Sequence, residues 1–356
     1  MRSGRSIYVA SAGTRDVLAT QDASHTLFQG EERVDILRDV QDFASETLER
    51  LKSQKKYGVL ELNDGKMSKI KKGDIIAGVL GERKALEGIV GGIPQSLKTN
   101  DTIHILNLGG VLGIAQSWNP DFIDNPLPVK VLGAVAKNNS TLNIKSFSLK
   151  PEEVLHKSVP IVLVLGTSMG VGKTTVVKNI IALLAGKNNL KVAAGKLTGV
   201  ATQRDLLVMK NAGAIAALSF LDVGLTSTIS QNGMVVPAAN AIINSLNKKQ
   251  PDVIVAELGD GVIGWYGVNK LLENKEFMKS TIFIVGCAND LMGAAGLYET
   301  LKKNGLEIDF FSGPVTNNSA GTDYLEQFLK IPSQDLRHGH IKLVKKLSEK
   351  GVDVHD

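Results

Sequence analysis

The apolar positions of this chain follow three different rhythms. A strand is expected at Ser6–Ala10, and the polar residues after it show no clear period. From Glu31 to Lys56, Val34, Leu37, Val40, Phe43, Leu48 and Leu51 recur every three to five residues with charges between them, which predicts a helix packed on its own domain by one apolar stripe. Residues 57–150 instead carry short β-prone runs at Tyr57–Leu62, Asp74–Leu80, Thr102–Leu106, Val129–Val135 and Thr141–Leu149. Gly, Asn, Asp and Pro separate them at intervals of about ten residues, the signature of a small β-rich domain without a long helix. The pairs Gly91–Gly92 and Gly109–Gly110 suit either a close backbone approach to a ligand or a bulge.

Beyond a linker at Pro151–Ser158 the rhythm changes again. Strands are expected at Ile161–Leu165, Lys191–Ala194, Ala214–Leu221, Val253–Glu257, Ser280–Val285 and Glu307–Phe311. Helices are expected at Lys173–Ala185, Arg204–Ala212, Ala238–Lys248, Leu291–Asn304 and Thr322–Leu329. Strands that are apolar throughout, alternating with amphipathic helices, predict an α/β fold with a parallel sheet covered on both faces. The chain thus divides into an N-terminal strand and helix (1–56), a smaller β-rich domain (57–150), a linker (151–160), an α/β domain (161–335) and a C-terminal helix and tail (336–356). Right-handed crossovers put the loops that follow the strands on one edge of the sheet, where ligands bind.

One of those loops carries recognisable chemistry. The stretch Val162–Val177 reads VLVLGTSMGVGKTTVV, a buried strand, a glycine-rich turn and a helix start. Gly166, Gly170 and Gly172 free successive N–H groups to turn onto phosphate oxygens, with Thr167, Ser168 and Val171 between them. Lys173 reaches the β- and γ-phosphates, the Thr174 hydroxyl can sit on Mg²⁺, and Thr175 continues the helix, so the sequence points to a P-loop NTPase domain that binds a nucleoside triphosphate.

The spacing narrows the likeness. Five residues separate Gly166 from Gly172, one more than in the common pattern, and this GTxxxVGKT form resembles dethiobiotin synthetase and its relatives in the signal-recognition-particle/MinD/dethiobiotin-synthetase class of P-loop proteins. Ser168 stands where dethiobiotin synthetase has Asp and where MinD-like ATPases carry an extra Lys. The strand PDVIVAELGDG, Pro251–Gly261, looks like the one that ends in Val-Glu-Gly-Ala-Gly-Gly in dethiobiotin synthetase, and the resemblance makes Glu257 the metal-site acid with Asp260 as an added one. In AAGKLTGVATQRD, Lys196 matches the lysine of a Lys-Pro-Val-x-x-Gly segment that holds substrate and γ-phosphate, although Leu197 replaces the Pro. Asp205 and Asp222 are the candidates for a second metal carboxylate, Asp205 being preferred.

The run IFIVGCANDLMGAAGLYETLKKNGLEIDFFSGPVTNN resembles the part of dethiobiotin synthetase that leads to an adenine-reading Asn. Asn317 or Asn318 would take that role, and Asn289 would order the phosphate side. The resemblance covers about residues 160–320. It implies Mg²⁺ and ATP as cofactors, ligase or transferase chemistry on an unidentified small-molecule substrate, a small carboxylate or amine, and a homodimer. The competing readings are a regulatory or chaperone-type NTPase acting on a protein partner and an acyltransferase binding CoA.

Composition sets outer bounds. The 356 residues are enough for two domains of ~150 each. With 43% hydrophobic and 22% charged residues, the chain reads as globular. Its apolar runs fall far short of the ~18 residues of a membrane span, and no signal peptide is expected. A single cysteine, Cys287, fits a reducing cytoplasm and reads as a packing residue. The net charge of +5 is spread along the chain without aromatic interleaving, which argues against nucleic acid. Lys342–Lys350 reads as the exposed face of a terminal helix, and His338 with His340 as a solvated pair and not a metal site.

Overall fold

The computed structural model describes residues 7–9, 58–62, 64–137, 140–229 and 233–355. The helix expected over Glu31–Lys56 lies outside the described residues. The chain forms two compact units. The first comprises Met1–Leu149 with Val200–Arg204 and Gly224–Ser227; the second comprises Lys150–Gly199, Asp205–Val223 and Thr228–Asp356.

The first unit is β-rich. Its main sheet runs in the order Pro128–Lys130, Thr102–Ile105, Val111–Trp118, Ile89–Gly92 and Arg83–Lys84, all antiparallel, with Val79–Leu80 joining Val111–Trp118 in parallel. Leu60, Ile76, Ile105 and Leu127 form a buried cluster. Glycine is required where strands cross closely: a Cβ on Gly91 would come within 2.5 Å of the Ile114 carbonyl oxygen. Thr141–Leu149, expected as a strand, instead forms a 3₁₀ turn at Ile144–Phe147. The reason is local, since the Asn143 side chain accepts the Lys145 N–H at 2.9 Å and starts a turn. Buried Glu61 accepts the N–H groups of Gln203 and Arg204 at 2.8 and 2.6 Å, and Asn107 donates to the Ala201 carbonyl at 2.8 Å.

The second unit has the α/β architecture that its sequence pattern predicts. Its strands are β1 (Ile161–Gly166), β2 (Val192–Thr198), β3 (Ala216–Ser219), β4 (Val253–Leu258), β5 (Thr281–Cys287) and β6 (Phe310–Ser312). They form one parallel sheet in the order β3-β2-β4-β1-β5-β6. Every residue of β1, β2 and β4 is buried, as a sheet covered on both faces requires. The helices are α1 (Lys173–Ala182), α2 (Arg204–Asn211, entering this unit at Asp205), α3 (Val235–Asn247), α4 (Val268–Leu272), α5 (Lys275–Ser280), α6 (Leu291–Lys303), α7 (Ser319–Gln327) and α8 (Ile341–Glu349).

Two features differ from the sequence expectation. Terminal helix α8 is not merely a charged face: Leu343, Val344 and Leu347 enter the core with Val162, Val177 and Phe310. The strand expected at Glu307–Phe311 is confined to Phe310–Ser312, because Asp309 turns its carboxylate back to accept the Ile284 N–H at 2.8 Å. The segment from Glu152 to Val159 is strapped to α3 by a ladder of asparagines. Asn244 accepts the His156 N–H at 3.0 Å and donates to Glu152 Oε2 and the Val154 carbonyl at 2.6 and 2.9 Å. Asn240 donates to the Glu153 carbonyl at 3.0 Å, and Asn247 accepts the Val159 N–H at 3.1 Å.

Candidate nucleotide site

The glycine-rich loop links β1 to α1 in the centre of the sheet. Gly170 and Gly172 hold φ of 79° and 84°, left-handed values that β-carbon-bearing residues rarely adopt. Gly166 is needed for space, since a Cβ there would lie 2.6 Å from Val171 Cγ2 and 2.9 Å from the Cys287 carbonyl oxygen. That carbonyl accepts the Thr167 N–H at 3.0 Å and anchors the loop entrance to β5. Helix α1 starts at Lys173 without a side-chain cap, so its first-turn N–H groups and dipole face the loop.

Across this turn the strands bring together a set of charged and polar groups. Val164 of β1 and Lys196 of β2 both pair in register with Glu257 of β4, which puts Lys196 and Glu257 side by side. The Thr174 hydroxyl donates to Glu257 Oε1 at 3.1 Å, while the buried Glu257 Oε2 has no hydrogen-bond partner. Lys173 is 6% exposed and donates to the Ser168 carbonyl at 2.7 Å. Lys196 forms an ion pair with Asp205. Burial raises the Glu257 carboxyl above its usual range, against the pull of Lys196 and Lys173. Burial likewise lowers the Lys173 ammonium, against the opposing pull of Glu257. The Cys287 thiol is pushed up to about 12 by burial.

The loop that follows β4 closes against the phosphate loop. A Cβ on Gly261 would sit 2.3 Å from the Thr167 carbonyl oxygen, and one on Gly259 2.3 Å from that of Thr198. The Val262 N–H donates to the Gly166 carbonyl at 3.0 Å. Asp260 between them has φ of 69°, an uncommon value for a non-glycine residue.

The residues expected to serve the site fall into distinct places. Gly166, Thr167, Ser168, Gly170, Val171, Gly172, Lys173, Thr174 and Thr175 form the turn and helix start, and Glu257 meets Thr174 there. Of the two candidate acids, Asp205 lies beside Lys196, whereas Asp222 accepts the Ser219 N–H at 2.7 Å and stabilises the turn after β3. Asn289 is exposed in the loop after β5. Asn318 caps α7, accepting the Ala320 N–H at 3.1 Å, and Asn317 accepts from Arg337 Nη2 at 2.7 Å. Arg337 is in turn forked onto Asp335, a pair the sequence reading did not single out. The only sequence signal for it was an Asp-x-Arg step shortly after Pro332.

The polar set suits a divalent cation bound together with a polyphosphate. A buried carboxylate with one oxygen unpartnered, next to a hydroxyl, offers hard oxygen ligands, and phosphate oxygens can complete the octahedron. No helix among the described residues is long and apolar enough to cross a membrane.

No family model and no curated protein matches the chain. Among solved structures it is similar to the signal recognition particle receptor FtsY from Elizabethkingia anophelis in complex with GDP, with 13% identity over 53% of this chain and 60% of that one and a TM-score of 0.35. Chloroplast FtsY from Physcomitrella patens gives 15% identity, coverage of 53% and 62%, and a TM-score of 0.34. The signal recognition particle 54 kDa protein from Aeropyrum pernix K1 in complex with GDP gives 17%, 58% and 52%, and 0.35. The chain thus spans little more than half the length of these proteins, and at such values the likeness assigns it no activity. The parallel strand order, the glycine-rich turn and the helix it opens give the second unit an α/β P-loop fold, and most of the chain before it forms a smaller β-rich unit.

Proposed function

We propose that the second unit binds a Mg-nucleoside triphosphate on Gly166–Thr175 and passes its γ-phosphoryl group to a small carboxylate or amine, in the manner of dethiobiotin synthetase-like enzymes. The observation that carries this reading is the Thr174–Glu257 contact at 3.1 Å, with Glu257 Oε2 buried and unpartnered beside it. Thr174 and Glu257 would hold the magnesium ion, which supplies positive charge to the phosphate oxygens. Lys173 leaves the Ser168 carbonyl and donates to the β- and γ-phosphates, where its buried charge finds a partner. Lys196, one strand beyond Glu257 and fixed by Asp205, orients the acceptor and balances the negative charge that develops on the moving group. The Gly259–Gly261 loop, closed on Thr167, keeps water from the phosphate.

Calorimetry of ATP and GTP with Mg²⁺, on wild type and on Lys173→Ala, tests the site. Binding to wild type that falls at least tenfold in the variant is expected, and equal affinities would overturn the assignment. The proposed assembly is a homodimer, in keeping with the exposed apolar Ile263 and Trp265 on the loop after β4 and Met292 in the first turn of α6. Light scattering checks the mass, and a monomer at working concentration rejects it.

A further inference from the structure

The groups that flank the phosphate loop are unlike on its two sides. Toward β4 and β2 stand Glu257, Lys196 and Asp205, suited to a metal ion and a moving phosphoryl group. With that side given to the metal ion and the moving phosphoryl group, the side left for the nucleoside is that of β5 and β6, across β1. The turn after β6 meets the phosphate loop there: a Cβ on Gly172 would lie 3.6 Å from Gly313 Cα and from Pro314 Cδ. The Val315 N–H donates to the Ala288 carbonyl at 3.0 Å, which ties this turn to the end of β5.

Asn317 closes that turn, and its amide is oriented by a neighbour. Arg337 Nε lies 2.9 and 3.2 Å from the two Asp335 oxygens, and Nη2 lies 2.6 Å from Oδ2. The same Nη2 donates to Asn317 Oδ1 at 2.7 Å. A guanidinium has no acceptor, so the Asn317 atom facing it must be the oxygen and the amide nitrogen must point elsewhere. Within this pair the atoms not engaged by the Asp335–Arg337–Asn317 bonds are Asn317 Nδ2 and Arg337 Nη1, and neither can accept. Adenine shows a donor at N6 beside its N7 acceptor, whereas guanine shows acceptors at both O6 and N7. Asn317 could pair with both adenine groups only by giving up its charge-assisted bond to Arg337.

We infer that the triphosphate bound here carries a 6-oxopurine base, with Asn317 and Arg337 as the donors that read O6 and N7. This replaces the adenine that the family resemblance implied, and it rests on the triphosphate reading of Gly166–Thr175. Neither donor touches the 2-amino group in this arrangement, so inosine triphosphate is read as well as GTP.

The test is calorimetry on the full chain with Mg²⁺, comparing GTP, inosine triphosphate, ATP and inorganic tripolyphosphate. GTP and inosine triphosphate should bind alike, and on the order of tenfold or more tighter than ATP. Asn317→Asp keeps the contact with Arg337 but removes the N–H donor. It and Arg337→Ala should abolish that preference while leaving tripolyphosphate affinity unchanged, which also shows that the variants fold. ATP binding as tightly as GTP, inosine triphosphate as weak as ATP, or a GTP preference that survives both substitutions would each overturn the base assignment and leave the phosphate site standing. Failure of every phosphate compound, tripolyphosphate included, overturns the site and this inference with it.

Discussion

Glu257 is the residue on which the site turns, and its burial makes a pH prediction. Its carboxyl is raised in the folded protein, so between the unfolded value near ~4.3 and the raised folded value the native state binds more protons than the unfolded chain. Stability then falls as pH climbs through that window. Glu257→Gln removes the effect at constant shape. The Tm of the ligand-free variant should gain on wild type as pH rises from ~4.3 toward neutrality, and in the variant Mg²⁺ should no longer strengthen triphosphate binding. Parallel Tm curves would reject a carboxyl raised by burial. Cys287 supplies a second check. It is the single cysteine, buried, with its thiol at about 12, so a thiol reagent should find no group in the native protein and one in denaturant. The turn at Gly166–Thr175 was legible because glycines interrupt a buried apolar run just before a helical pattern, and Glu257 because an acid ends another such run. Arg337 was not, since it orients Asn317 from 20 residues away and no spacing rule joins them.

At the scale of elements, the asparagines of α3 show what helix periodicity conceals. Asn240, Asn244 and Asn247 lie four and three apart, so they share a face, yet Asn240 and Asn244 are buried. A polar residue on a helix is ordinarily assigned to the solvent side; here the stripe binds the backbone of Glu153–Val159. Asn244→Ala removes three hydrogen bonds and leaves the His156 N–H and Val154 carbonyl without their partner. We expect a loss of roughly 2–4 kcal/mol, read as a lower urea midpoint at unchanged m-value. A shift within error would mean the strap contributes little. The strands of the second unit were legible because uninterrupted apolar runs such as Ile161–Leu165 have one stable environment, the middle of a covered sheet. In the β-rich unit, runs such as Thr141–Leu149 are short and partly polar, and a single side-chain bond from Asn143 suffices to turn one into a 3₁₀ segment.

For the molecule as a whole, the order of the chain and the order of the units differ. Val200–Arg204 and Gly224–Ser227 follow the phosphate loop in sequence, yet they belong to the first unit. No single cut therefore separates the two. Within that unit Glu61 accepts the Gln203 and Arg204 N–H groups, Asn107 donates to the Ala201 carbonyl, and Ala201 donates to the Thr226 carbonyl at 2.9 Å. A fragment of residues 151–356 would keep both segments but lose Glu61 and Asn107. Hydrogen bonds to a charged group contribute ~1.5–3 kcal/mol and neutral ones about 1, so the fragment should unfold at a clearly lower urea concentration than the full chain. Because Asp205 follows Arg204 directly, its pairing with Lys196 should loosen too, and triphosphate affinity should drop. Glu61→Gln in the full chain separates these contacts from other effects of truncation, and it should reproduce part of both losses. A fragment as stable and as tight-binding as the whole chain would mean that the interleaved segments carry no weight, and that the P-loop domain is self-sufficient from residue 151 onward.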